Sequence, residues 1–175
     1  MPLHPDTHAP TAERPPAQPG LGNTTAERLA ELGWPAPGTP SPAALPFAPA
    51  VRVGELVFTS GQIAVAEGAP RWSGYLGAEV SVAEAQLAAQ HALVQGVYAA
   101  IELLGPGEDI ESVVKLTGFI ASAPGFTQQS AVLNPASDFL AALFESPHAR
   151  SAIGVSELPF GAAVEVELVL RVRSH

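Results

Sequence analysis

An α/β fold of the α+β kind is what this sequence predicts: a mixed sheet in the chain order β-β-α-β-α-β-β, with two long helices on one face. Three observations predict it. Val164, Val166, Leu168, Leu170 and Val172 alternate with Glu165, Glu167, Val169 and Arg171, the period-two pattern of a strand with one buried face. Ser81-x-x-Glu84 opens a run in which Ala85, Ala89, Leu93, Val97, Ile101 and Leu104 recur near helical spacing, as in an amphipathic helix that begins with a capping box. Gly54-Glu55 joins two apolar, β-branched runs, Val51–Val53 and Leu56–Ser60, a two-residue link of the kind that closes hairpins.

Taken in order, Met1–Gly22 is rich in proline and alanine and has no period, so it reads as a loosely tethered arm. Thr24-x-x-Glu27 then caps a short helix near residues 24–33, with Leu29 and Leu32 on one face and Gly33 as its stop. Pro35, Pro37, Pro40, Pro42 and Pro46 make the next stretch an extended connector. Residues 1–46 are therefore expected to be a proline-rich N-terminal arm and residues 47–175 the domain proper. Ser60-Gly61-Gln62 ends the second strand, and Glu67–Gly77, with Trp72 and Tyr75, reads as an irregular loop. Gly105 is placed to stop the long helix, Val113–Ala121 is a strand, and Thr127–Glu145 is helical with an irregularity at Asn134-Pro135. The runs Ser151–Val155 and Val164–Val172 close the chain, separated by the turn Leu158-Pro159-Phe160-Gly161. They are expected to pair as neighbours, which would set Arg150 and the glutamates Glu165 and Glu167 on one shared β surface. The second sheet face has nothing to cover it, and Val169 on the otherwise charged parity points to self-association.

Composition excludes several roles. The 175 residues are 47% hydrophobic, enough for one globular domain with a substantial core. A net charge of −9 with only eight lysines and arginines argues against nucleic acid and against a charged membrane surface. No run approaches the length of a spanning helix, and the N-terminal residues lack a secretory pattern, so a cytoplasmic address is expected. The absence of cysteine removes disulfides, thiolate catalysis and zinc–sulfur sites. The five histidines, at 4, 8, 91, 148 and 175, lack metal-ligand spacing, and no phosphate-binding or nucleophile-elbow motif occurs. Neither a metal nor a cofactor is expected.

Three segments carry a family resemblance: TSGQI at Thr59–Ile63, VKLTGFI at Val114–Ile120 and ARSAIGVSELPFGAAVEVEL at Ala149–Leu168. Together they resemble the reactive-intermediate deaminase family (RidA, or YjgF), which also carries the older name L-PSP endoribonuclease. The resemblance spans roughly Phe47 to Val172. It implies a chorismate-mutase-like fold and a homotrimer whose sheets form a central barrel, with ligand clefts between neighbouring subunits. It also implies hydrolysis of small 2-imino acids, or their enamine tautomers, to 2-oxo acids and ammonia. By motif match, Arg150 is similar to the arginine that clamps the substrate carboxylate, and Glu165 to the acid that positions the attacking water. Gly61 matches the glycine whose amide helps hold the ligand, and Asn134 a cleft-lining asparagine. Phe47 stands where many members have a tyrosine, Ala152 where a cysteine is common, and Gly154 where an acid is frequent. The Glu67–Gly77 loop is longer than in compact members. These departures mark a divergent subgroup.

The chemistry of the residues agrees with that assignment. A guanidinium offers planar paired donors that match a carboxylate and stays charged at any working pH. Water addition to an imine needs a carboxylate within hydrogen-bond reach of the water, and the imine carbon is already electrophilic. Gly61 allows close approach to the backbone, Phe47 could pave the cleft, and Ala152 would contribute its main chain. Glu167 is the local competitor of Glu165. A binding or sensing module for small carboxylates, and a ribonuclease, are the alternative functions; the acidic composition disfavours the second.

Overall fold

The computed structural model describes residues 24–36, 46–66 and 68–174. In chain order the elements are α1 (Thr25–Glu31), β1 (Ala50–Val53), β2 (Leu56–Thr59), β3 (Gln62–Ile63), β4 (Val65–Ala66), β5 (Ala69–Pro70), α2 (Val82–Ile101), β6 (Glu108–Ala121), α3 (Gln129–Phe144), β7 (Ala149–Val155) and β8 (Val164–Ser174). The main sheet runs β1-β2-β8-β6-β7, with β3 continuing the β2 edge against β8. All pairings in it are antiparallel except β6 with β7. The predicted mixed α+β sheet is thus the architecture found, with α2 and α3 on one face and α1 as a third helix.

Local chemistry explains most boundaries. Ser81 and Glu84 form the expected reciprocal cap of α2, and Thr24 and Glu27 that of α1. Gly54, at φ 61°, closes the β1–β2 hairpin, where the left-handed conformation matches strand twist. α2 ends at Ile101, earlier than the expected stop at Gly105, because Leu103 and Leu104 bond back within a tightening final turn. The alternating residues of β8 bury Val164, Val166, Leu168, Leu170 and Val172 beneath the helices. At Gly118 on β6, an added Cβ would lie 2.4–3.0 Å from the side chain of Leu133 on α3. The missing side chain is what lets that helix settle onto the sheet.

One expected strand start is corrected. β6 begins at Glu108 rather than Val113, because its leading charges are satisfied in place. Glu108 takes both terminal nitrogens of Arg52 from β1, at 2.5 and 2.8 Å. Asp109, buried, accepts the Thr25 backbone N–H with both carboxylate oxygens at 3.1 Å, so it holds the start of α1. α3 continues through Pro135, and the irregularity expected at Asn134-Pro135 is confined to one missing helix hydrogen bond. Proline supplies no N–H to the carbonyl four residues earlier, and that orphaned Ala131 oxygen is taken by the Gln86 side-chain amide of α2 at 2.9 Å.

The short helix α1 is docked, with Leu29 fully buried and Arg28 Nη1 donating to the Leu143 carbonyl at 2.6 Å. After it, Trp34 packs edge-on against His91, and the Trp34 carbonyl accepts the Tyr98 hydroxyl at 2.7 Å. The expected loose arm, Met1–Gly22, and most of the proline connector lie outside the described residues. Within the loop expected at Glu67–Gly77, β5 pairs with β4, and Trp72 packs on His91 of α2 at 5.4 Å between ring centres. Trp72 therefore belongs to the helix side and caps no cleft there.

Among the described residues, no helix covers the second sheet face. Val51, Phe58 and Val169 form one cross-strand row on it, and Ile153, Phe119 and Glu165 another. Phe58 and Ile153 are 40% and 41% exposed. Adjacent apolar positions of this kind on one face are the usual mark of a surface that binds another molecule.

Candidate active site

The expected shared wall for Arg150 and Glu165 is not formed. β6 lies between β7 and β8, so the two strands do not pair. Arg150 is level with Leu116, which is level with the buried Leu168, so Arg150 points to the helix-covered face. Glu165 is level with Phe119 and Ile153 and points to the open face. Period-two geometry makes this unavoidable: residues on opposite parity across a continuous register emerge on opposite sides. One chain therefore holds two separate clusters.

The first cluster sits where β7, the last strand of the main-sheet path, meets α3. Asn134 and Ser137 are three residues apart on the helix and so share a face. Arg150 Nη1 donates to Asn134 Oδ1 at 3.0 Å and to Ser137 Oγ at 3.0 Å. Both acceptors are neutral. No carboxylate among the described residues pairs with Arg150, whereas Arg52 and Arg171 both pair with glutamates. Anchoring through Nη1 leaves Nε–H and Nη2–H, the guanidinium edge that engages a carboxylate side-on with two parallel bonds. Ala152 follows on the same side of β7 and packs against the core, while Gly154 lies level with Ile120 with the Gln129 amide above it. His148, just before the strand, places Nε2 3.1 Å from the same Ser137 Oγ. Burial, and secondarily the Arg150 charge, lower the His148 pKa and favour its neutral form. Sequence reasoning missed Ser137; its spacing of three from Asn134 on a helix was the available signal.

The second cluster lies where the short strand β3 pairs with β8, across β6 from β7. A Cβ built on Gly61 would fall onto Oε1 of Glu165 and come within 2.6 Å of Cδ, so only glycine leaves room for this carboxylate. β3 pairs Ile63 with Glu165 and fixes the contact. Glu165 is half-buried, and among the described residues it has no hydrogen-bond or ion-pair partner. Burial, and then the neighbouring Glu167 charge, raise its pKa above the usual carboxylate value. Phe47 leads into this corner and is 57% exposed; Ser60 ties the entry by donating to the Ala48 carbonyl at 2.7 Å.

So Arg150, Asn134 and Ala152 form one group, and Glu165 and Gly61 another, with Phe47 on the segment that enters beside the second. Two hollows among the described residues have other linings. One of about 410 Å³ is walled by Trp34, His91 and Tyr98, and one of about 280 Å³ by Tyr75 and Glu157.

Comparison with known proteins identifies the family. The model of the family described as Endoribonuclease L-PSP matches residues 39–172. The chain belongs to that family. The Trypanosoma cruzi protein TCP17 is 38% identical over 152 residues, covering 85% of this chain and 94% of TCP17. The crystal structure of Atu1372 from Agrobacterium tumefaciens is 34% identical with a TM-score of 0.71, covering 85% of this chain and 92% of that one. The structure of Escherichia coli TdcF with bound serine is 26% identical with a TM-score of 0.51, covering 75% and 91%. Coverage of 85% exceeds what residues 47–175 supply, so the matches to TCP17 and Atu1372 extend into the segment before Phe47. No helix among the described residues is long and apolar enough to cross a membrane.

Proposed function

We propose that this protein hydrolyses small 2-imino acids to 2-oxo acids and ammonia, at clefts between the subunits of a homotrimer. The observation that carries the reading is the free Nε/Nη2 edge of Arg150, held by neutral anchors and opposed by no acid among the described residues. That is the equipment for a ligand carboxylate, and in TdcF the bound molecule is serine, itself a small carboxylate. Glu165 is the second requirement: a carboxylate with no partner among the described residues, desolvated enough to accept and return a proton. Since one chain sets the two clusters on opposite faces, a neighbouring copy has to bring Glu165 up to Arg150. The apolar rows around Phe58 and Ile153 give that neighbour a surface to bury.

The chemistry needs only these groups. Arg150 fixes the carboxylate and so orients the imine carbon. Water adds its oxygen to that carbon while Glu165 carries a water proton to the nitrogen, which takes the π pair. The resulting hydroxyl then yields its proton through Glu165 to the same nitrogen, the C–N bond breaks and ammonia leaves as the C=O forms. Asn134 keeps the guanidinium in place, Gly61 makes room for the carboxylate and presents its amide, and Phe47 and Ala152 line the cleft. All of these residues fall in the 47–175 unit, and the proposed setting is the cytoplasm. The family's endoribonuclease description fits the surface less well: the chain is strongly acidic, and Arg52 and Arg171 are paired with glutamates rather than free to track phosphates.

The test is ammonia release from 2-iminopropanoate generated in situ by oxidation of alanine. Wild type should accelerate it, and Arg150→Ala should lower kcat/KM by at least about a hundredfold, the scale of losing an oriented charged donor. Equal rates with and without protein would remove the proposal.

A further inference from the structure

We infer that Ser137 and His148 are positioning residues for Arg150, forming a one-way hydrogen-bond relay that holds the guanidinium with its carboxylate-binding edge outward. This rests on the reading of Arg150 as the carboxylate clamp. Ser137 Oγ has one proton to give and lone pairs to accept with. Arg150 Nη1 donates to it at 3.0 Å, and His148 Nε2 lies 3.1 Å away. A donor that is already cationic polarises the hydroxyl, so the favourable direction is Arg150 to Ser137 to His148, each bond strengthening the next. That direction requires His148 to be neutral with its proton on Nδ1, and burial together with Arg150 favours the neutral ring.

Asn134 alone could not hold the group. One hydrogen bond to Nη1 leaves the guanidinium free to swing about it, whereas two acceptors three residues apart on α3 fix its plane. Ser137 is in turn fixed by His148, which follows Pro147 at the entry to β7. The relay thus ties the helix to the edge strand through the arginine. Its function is to present two parallel donors, so its loss should appear as weaker carboxylate binding more than as slower turnover at saturation.

The experiment measures the dissociation constant of pyruvate, the expected product, together with KM and kcat, in Ser137→Ala, His148→Ala and His148→Gln. Glutamine can place its carboxamide oxygen close to where Nε2 stands and accept from Ser137. Ser137→Ala and His148→Ala should weaken pyruvate binding roughly tenfold, the scale of one hydrogen bond to a charged group, with the larger change in KM than in kcat. His148→Gln should restore binding to within about threefold of wild type, a rescue that a ring needed only to fill space would not give. If Arg150→Ala abolishes pyruvate binding while Ser137→Ala and His148→Ala bind normally, the relay is wrong and the clamp stands. If Arg150→Ala itself binds pyruvate normally, clamp and relay fall together. Thermal melts of each variant separate loss of the relay from loss of the fold.

Discussion

The β7–α3 cluster and the β3–β8 cluster solve opposite electrostatic problems in the same sheet. Around Arg150 a full charge is held by neutral groups, so its own field stays available to an incoming anion. Around Glu165 a carboxylate is left without a partner among the described residues and partly desolvated, so its charge is weakened and its proton affinity raised. Under the proposed function, the first environment would bind and the second would move protons. Elsewhere in the same chain Arg52 is paired with Glu108, whose carboxyl pKa falls to about 2. On the proposed reading, keeping Arg150 and Glu165 on opposite faces of one sheet is what requires a second copy to complete each cleft.

The comparison can be broken from either side. Beyond the loss expected for Arg150→Ala, Glu165→Gln keeps the shape but cannot accept a proton. It should lower kcat by roughly two to four powers of ten, the range of general acid–base catalysis, while leaving pyruvate affinity near wild type. Equal losses of affinity in both variants would erase the division of labour. Gly61→Ala should act through the acid alone: its Cβ displaces the Glu165 carboxylate, lowering kcat by about tenfold. In a Glu165→Gln background the same change should cost much less, the non-additivity expected of groups in contact. The smallest effect is a shift in pH profile. Glu167 adds negative charge beside Glu165 and raises its pKa, so Glu167→Gln should let Glu165 ionise more readily. The acid limb of kcat/KM should then move to lower pH; movement to higher pH would contradict the assignment of that limb to Glu165.

Much of the fold was legible because its signals are local. Both capping boxes, the Gly54-Glu55 hairpin and the alternation of β8 depend on residues within a few positions of one another. What escaped depends on distant partners. Nothing in the sequence around Ala131 shows that Gln86 will take the carbonyl freed by Pro135. Nothing in the charged start of β6 shows that Arg52 and Thr25 will satisfy Glu108 and Asp109. The site was half legible for the same reason. The motif match singled out Arg150, Asn134, Gly61 and Glu165 one by one, and the structure brings Arg150 to Asn134 and Gly61 to Glu165. The relation between the two pairs needed the strand order, since inserting β6 between β7 and β8 separates residues that the last two runs seemed to place together.

The most direct measurement is subunit complementation. Arg150→Ala and Glu165→Gln proteins, each inactive alone, are unfolded together, refolded in equal amounts and assayed for ammonia release from 2-iminopropanoate. If each cleft takes its arginine from one chain and its glutamate from the next, random mixing should restore about a quarter of the wild-type clefts and a matching share of the activity. A refolded mixture in which mixed oligomers form yet activity stays at the level of the separate variants would contradict the account.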